Sequence, residues 1–190
     1  RNGIRETAAT QTPEGCVAQI APMNSRKMGS PTGGIGWCDS FEIVPYYLAD
    51  DRDDTLTEEF YDQIADWMRF QIKKSKKPRL ANRGKVPKEL QPYLLDNGWL
   101  WGEWLERGRM GAYMVNLMTH GDLELSSSYL SYGCALVAEM AESWEIKDAA
   151  YFREVSGKAK EAYRYLFLKN GKIEEPKRQC RYVRPIALGM

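Results

Sequence analysis

The sequence predicts an all-α protein built from antiparallel helical hairpins. Wherever its hydrophobic pattern is strong, apolar residues recur every three to four positions, which is the spacing of one helix face. Strands are not expected, because no run of useful length alternates between apolar and polar residues. With 190 residues, 43% of them hydrophobic, the chain is long enough to form one domain with a real core.

The clearest predicted helix runs from Thr55 to about Lys74. Its apolar residues at helical spacing are Leu56, Phe60, Ile64, Trp67, Met68 and Ile72. Thr55 and Glu58 match a capping box at its start. Lysines at its end complement the helix dipole, and Pro78 prevents continuation.

Two further long helices are predicted to form a helical hairpin. The first begins after Asp122 as N-cap and runs to Trp144, and the second runs from Asp148 to Leu168 before the turn Asn170-Gly171. Shorter helices are predicted over Asn2–Gln11, Asp39–Ala49 and Lys177–Met190, the last two interrupted by Pro45 and Pro185.

The lengths of the connections indicate where a binding site lies. In chain order they are long, short, very long, short and intermediate, covering residues 12–37, 50–54, 75–121, 145–147 and 169–176. If successive helices are antiparallel, alternate connections lie at the same end of the bundle, so all the long ones share one end. Long irregular segments in a compact domain are usually functional, and we expect the site there.

Composition excludes several classes of partner. Lys and Arg (27) balance Asp and Glu (26), so no nucleic-acid partner is expected. No apolar stretch approaches the roughly 20 residues that cross a bilayer, and no signal peptide is visible, so no membrane association is expected. The sequence does not determine the cellular compartment, and it is compatible with a periplasmic or secreted location in a bacterium.

The metal-binding and nucleophilic residue types are sparse. His120 is the only histidine, so a histidine-rich metal site is excluded and a Ser-His-Asp triad would depend on that one imidazole. The cysteines are too far apart for a zinc-ligand motif or a dense disulfide framework. No metal and no cofactor is expected, and the thiols are predicted to be mostly buried: Cys16, Cys38, Cys134 and Cys180.

Aromatic and acidic residues mark the two longest connections. Trp37 and Asp39 end the first, at a glycine-rich junction with the next helix, and Asp39 is also explained as an N-cap. In the second, half of the six tryptophans fall within six residues, at Trp99, Trp101 and Trp104, with Glu103 among them. Aromatic faces stack on a pyranose and carboxylates accept hydrogen bonds from its hydroxyls, so this pattern favours saccharide binding. The alternative is a tryptophan-rich plug that packs the loop, with Glu103 solvated.

Several short motifs, taken in order, resemble the bacterial α-L-rhamnosidases. The family's Trp-Gly-Asp-Ala, followed by a helix with Ile/Val-Ile/Val-Pro, is similar to 36–39 and 43–45, and its Gly-Asp-Trp-Leu is similar to 102–105. Residues 129–142 resemble its inner helix ending in Ala-Glu-(Ile/Met)-Ala, and Gln179 with 187–189 resembles its Gln…Ala-Leu-Gly stretch. Cys38 stands where the family has glycine, and Glu103 where it has aspartate.

The resemblance implies about half of an (α/α)6 toroid, a barrel of six helical hairpins whose long loops surround a rhamnose pocket. By carry-over, Trp37 and Trp104 line the pocket, with Asp39 and Glu103 near it. The implied reaction is inverting hydrolysis that releases terminal α-L-rhamnose from glycans or glycosides. The family's acidic motif, which supplies the general acid, does not occur in the chain. The acid and the base are expected outside it, and the isolated chain is expected to be inactive.

The sequence is also compatible with two other functions. Other six-hairpin enzymes hydrolyse different sugars or eliminate uronic acids, and a non-catalytic carbohydrate or protein interaction module would also use an aromatic surface.

The ends of the chain predict self-association. The start at Arg1 and the end at Met190, inside a helical pattern, indicate a fragment of a longer domain. Helices without their neighbours expose apolar surface, so self-association through that face is expected.

Overall fold

A computed structural model describes residues 2–18, 34–35, 55–78, 80–96, 122–173 and 179–190. These ranges are mostly helical, so the all-α prediction is confirmed. Their α-helices are α1 (Asn2–Ala8), α2 (Thr55–Ser75), α3 (Leu123–Ser143), α4 (Ala149–Phe167) and α5 (Cys180–Ala187). Two short 3-10 helices, Leu80–Asn82 and Gln91–Tyr93, interrupt the connection after α2. None of the helices in these ranges is long and apolar enough to cross a membrane.

The three long helices lie where the sequence predicts them. Helix α2 begins at Thr55, where the sequence predicts its start, and carries Glu58 in its first turn. The Asp122 carboxylate caps α3 as predicted, accepting hydrogen bonds from the backbone N–H groups of Glu124 and Leu125 at 3.0 and 3.2 Å. This capping satisfies donors that the first turn leaves open.

The short helices are shorter than predicted. Helix α1 ends at Ala8, because the Thr10 hydroxyl donates to the Thr7 carbonyl and accepts from the backbone N–H of Ala18, which fixes a turn. Helix α5 ends at Ala187, just past Pro185, and Gly189 follows with a positive φ of 66°. The helix predicted over residues 39–49 lies outside the described ranges.

A two-stranded hairpin departs from the prediction of no strands. Strand β1 (Leu168–Lys169) pairs antiparallel with β2 (Lys172–Ile173) across Asn170 and Gly171, whose φ values are 52° and 72°. Two positive φ values define the turn that Asn-Gly favours in tight hairpins. The sequence identifies this turn, but two-residue strands are too short to show an alternating pattern.

The core lies between α2, α3 and α4. Trp67 of α2, Leu130 of α3 and Phe152 of α4 are fully buried in it. Helices α3 and α4 pack closely where two small residues meet, and there each serine hydroxyl donates to the other residue's carbonyl: Ser131 to Ser156 at 3.0 Å and Ser156 to Ser131 at 2.8 Å. Buried hydroxyls are thereby satisfied inside an apolar interface.

Helices α2 and α3 run antiparallel, as predicted. The rings of Tyr61, near the start of α2, and Trp144, at the end of α3, make an edge contact at 5.8 Å. At the opposite end, the Ser75 hydroxyl donates to the Pro92 carbonyl at 2.7 Å, and the Leu95 backbone N–H donates to the Ser127 hydroxyl at 3.3 Å. The end of α2 therefore lies beside the start of α3. The end of α4 lies on the same side of the bundle, because its Tyr163 is hydrogen-bonded to Glu124 of α3, and we call this side the loop end.

Candidate functional site

The residues predicted to bind a sugar lie outside the described ranges. They are Trp37, Asp39, Trp99, Trp101, Glu103 and Trp104. The structure therefore leaves their arrangement as a prediction. It does describe the residues that flank them in the chain, and these fix where the two long connections begin and end.

Both ends of the tryptophan-rich connection are held at the loop end. Asp96, which is 2% exposed, accepts a hydrogen bond from the Asn82 amide at 2.6 Å and follows Leu95, which is bonded to Ser127 of α3. The chain is described again at Asp122, the N-cap of α3. Residues 97–121 thus leave and rejoin the described structure within the first turns of one helix.

The glycine-rich connection is also anchored in the core. Ile35 is 1% exposed and belongs to the main hydrophobic cluster, and the preceding Gly34 is buried. Trp37 follows Ile35 by two residues, so the segment that carries Trp37 and Asp39 starts from a fixed, buried point.

A buried polar network joins three helices at the loop end. The carboxylate of Glu124, in the first turn of α3, accepts a hydrogen bond from the Tyr163 hydroxyl of α4 at 2.7 Å. Its second oxygen accepts from the Arg184 guanidinium of α5, and this ion pair is almost fully buried. Charge-assisted bonds of this kind are stronger than neutral ones, and a buried charge needs them.

Burial governs the protonation of this network. It raises the pKa of Glu124 above its ordinary value, against the lowering effects of the Arg184 cation and the Tyr163 hydrogen bond. Burial and the adjacent carboxylate also raise the pKa of Tyr163, so its hydroxyl keeps its proton and acts as a donor. The charge of Glu124 is therefore opposed by burial and favoured by Arg184 and Tyr163.

A second, looser ion pair lies beside the first. The guanidinium of Arg181 in α5 is 3.7 Å from the Asp122 carboxylate, beyond the length of a hydrogen bond. The other oxygen of Asp122 already caps α3. The contact between Arg181 and Asp122 is therefore an electrostatic attraction without a hydrogen bond.

A pocket of about 270 Å³ opens beside these groups. Its polar lining comes from Glu124, Tyr163, Arg181 and Lys85, and its apolar lining from Leu123, Leu166, Phe167 and Ile173. A concave, mostly apolar site with a few convergent polar groups is the usual form of a small-molecule site. Within the described ranges, no group of three or more His, Cys, Asp or Glu is placed to hold a metal ion.

The residues of this network were not predicted from the sequence. Glu124 and Arg184 are 60 positions apart, and Tyr163 belongs to the apolar stripe of a predicted helix. The available signals were an acidic pair at the start of α3 and two arginines three positions apart before Pro185. Only the packing of α5 on α3 brings the opposite charges together.

Antiparallel helical hairpins, with a pocket at the end where the tryptophan-rich connection begins and ends, define a helical-hairpin domain. The whole chain, residues 1–190, matches the family described as the bacterial alpha-L-rhamnosidase 6 hairpin glycosidase domain. The chain belongs to this family, which confirms the resemblance carried by its short motifs.

Two solved structures share the fold. The Streptomyces avermitilis alpha-L-rhamnosidase complexed with L-rhamnose has a TM-score of 0.71 at 20% identity, covering 98% of this chain and 15% of that one. The alpha-L-rhamnosidase from Dictyoglumus thermophilum has a TM-score of 0.69 at 16% identity, covering 98% of this chain and 19% of that one. The chain thus spans less than a fifth of either protein. No functionally curated protein matches it.

Proposed function

We propose that the chain is one part of the catalytic domain of an inverting glycoside hydrolase that releases terminal α-L-rhamnose from glycans or glycosides. The family match along all 190 residues carries this proposal. The shared fold with an enzyme whose structure contains L-rhamnose supports it. Residues 1–190 form a single piece of a six-hairpin domain, and the remaining hairpins supply the rest of the barrel.

In this proposal the chain supplies walls of the rhamnose site. The proposal gives the apolar side of the sugar the faces of Trp37, Trp99, Trp101 and Trp104, while Asp39 and Glu103 accept hydrogen bonds from its hydroxyls. The anchoring of residues 97–121 at both ends of one loop-end region supports this assignment. Binding energy from such walls orients the glycosidic bond for attack.

The acid and base of the reaction lie outside residues 1–190 in this proposal. Inverting hydrolysis needs one carboxylic acid to protonate the leaving oxygen and a carboxylate, typically about 6.5–9.5 Å away, to activate water on the opposite face. Residues of this chain bind and orient the sugar without taking part in proton transfer. The isolated chain therefore binds L-rhamnose but does not hydrolyse rhamnosides.

Ligand-observed NMR with L-rhamnose tests the binding role. Trp104→Ala is expected to weaken binding about tenfold, which corresponds to ~1.4 kcal/mol for a lost stacking surface. Trp144→Ala is the matched control, because Trp144 contacts Tyr61 at the far end of the bundle and should leave binding unchanged. Equal weakening by both variants, or no rhamnose binding at all, would contradict the proposal.

An assay with an aryl α-L-rhamnoside tests the inactivity of the isolated chain. No turnover is expected with the chain or with its Glu103→Gln variant. Turnover that disappears in Glu103→Gln would refute inactivity and make Glu103 a reacting group.

A further inference from the structure

We propose that the pocket beside Glu124 is an additional saccharide subsite that takes one carboxylate-bearing sugar ring. Arg181 and Lys85 would hold the carboxylate, and Glu124 would accept the ring hydroxyls. The sugar nature of the ligand rests on the proposed function, whereas the requirement for a carboxylate rests on the charges that line the pocket.

The polar groups of this pocket are arranged by depth. Glu124 and Tyr163 are 2% and 1% exposed, so they form its floor. Lys85 is exposed and the Arg181 side chain is 22% exposed, so the two cations stand nearer the mouth. A ligand with hydroxyls at one side and an anionic group at the other matches this order.

The cations at the mouth have donors to offer. Among the described residues, the carboxylate paired with Arg181 is that of Asp122, 3.7 Å away, so that pair uses no short hydrogen bond of its planar fork. Lys85 donates to the Asn82 side-chain carbonyl at 2.6 Å, which occupies one of the three donors of an ammonium. Two such groups favour a carboxylate over a neutral ligand.

The floor favours hydroxyl groups over a second anion. Among the described residues, each Glu124 oxygen accepts one side-chain hydrogen bond, from Tyr163 or from Arg184, while a carboxylate has about four acceptor positions. The Arg184 cation offsets the charge of Glu124 but does not use all of its acceptors. A sugar hydroxyl is a donor of the right kind for those that remain.

The walls and size of the pocket fit one sugar ring. Phe167, whose ring centroid is 5.0 Å from that of Tyr163, presents an aromatic surface, and Leu123, Leu166 and Ile173 complete an apolar wall. Aromatic surfaces pack against the C–H face of a pyranose. A volume of about 270 Å³ is slightly below the roughly 300–1,000 Å³ of sites for drug-sized ligands, which suits a single ring.

Titration of the ¹⁵N-labelled full chain with D-glucuronate, D-glucose and acetate tests this assignment. Glucuronate and glucose differ only at C6, which is a carboxylate in the first and a hydroxymethyl group in the second, and acetate supplies a carboxylate without the ring. We expect glucuronate to bind at least tenfold more tightly than either and to shift the side-chain Nε–H resonance of Arg181.

Variants of the two cations test which groups hold the carboxylate. Arg181→Gln and Lys85→Gln should each weaken glucuronate binding about tenfold, and Arg181→Lys should weaken it less. Arg153→Gln, a change in an exposed pair with Glu142, is the matched control.

The same samples separate this subsite from the rhamnose site. L-Rhamnose binding should survive Arg181→Gln and weaken in Trp104→Ala, with the opposite pattern for glucuronate. Glucuronate binding that equals that of glucose or acetate, that is absent, or that is unchanged by both Arg181→Gln and Lys85→Gln overturns the subsite. Rhamnose binding that is absent while glucuronate still depends on Arg181 overturns the proposed function and leaves the subsite standing.

Discussion

Gly15 is a position where the fold leaves no room for a side chain. Its φ is +94°, and a Cβ built there would lie 2.4 Å from the backbone carbonyl oxygen of Asp66 in α2. The same turn is held by the Gln11 side-chain amide, which donates to the Gln63 carbonyl at 2.7 Å. Backbone approach at this one residue therefore docks the N-terminal segment on α2.

We expect Gly15→Ala to lower the free energy of unfolding by roughly 2–4 kcal/mol, since it adds a steric overlap to the cost of a left-handed backbone. Gly84→Ala separates these two effects, because Gly84 has a φ of +82° but open space around its Cβ position. That control should lose only about 1–2 kcal/mol. Urea denaturation of both variants measures the difference, and equal losses would show that the contact with Asp66 is unimportant.

At the scale of elements, the Glu124–Arg184 pair fastens α5 to α3. Removing one partner of a buried pair leaves an uncompensated charge, so Arg184→Met should cost about 3–5 kcal/mol near neutral pH. Arg153→Met removes an exposed pair with Glu142 and should cost less than about 1 kcal/mol. Urea denaturation again gives both values, and similar losses would mean that burial adds nothing to the Glu124–Arg184 pair.

The stability of the Arg184→Met variant depends on pH because the pKa of Glu124 is raised. Folded Glu124 keeps its proton above the ordinary unfolded value of about 4.3, so its contribution to stability is full below that value and is lost as pH rises through the folded pKa. The Arg184 cation lowers the pKa of Glu124, so Arg184→Met raises this pKa further. The pH range over which the folded state binds the extra proton then becomes wider. The variant should therefore be more stable at pH 5 than at pH 7.5, and a further Glu124→Gln change should abolish the difference.

The elements differ in how far the sequence determines them. Helices α2, α3 and α4 are predictable because their stripes, caps and turns are local signals that packing reinforces. Helix α5 is shorter than its pattern, because Pro185 and Gly189 decide its end. The Glu124–Arg184 contact has no local signal, since it depends on how two distant helices pack. The predicted sugar-binding residues rest on loop composition and family resemblance, and only their anchors are described.

For the whole molecule, the two proposed sugar sites share one end. The connection that carries Trp99, Trp101 and Trp104 returns at Asp122, and Arg181 of the neighbouring pocket is paired with that same residue. At the opposite end of the bundle a short turn joins α3 to α4, and the described ranges contain no long connection there. Under the two proposals, a helical bundle carries its recognition groups on the connections and helix ends of one side, so the core between the helices need not change with the ligand.

Helix α5 exposes an apolar face that predicts self-association of the chain. Ile186 is 80% exposed and Val183 is 55% exposed, beside a groove of about 760 Å³ along the β-hairpin. Contiguous exposed apolar groups favour association, and a second copy of the chain is the partner present at high concentration. Sedimentation velocity should show a sedimentation coefficient that rises with concentration. Ile186→Lys should suppress the rise, whereas Tyr165→Lys, at a residue 59% exposed on α4, should not. A concentration-independent monomer would exclude self-association through this face.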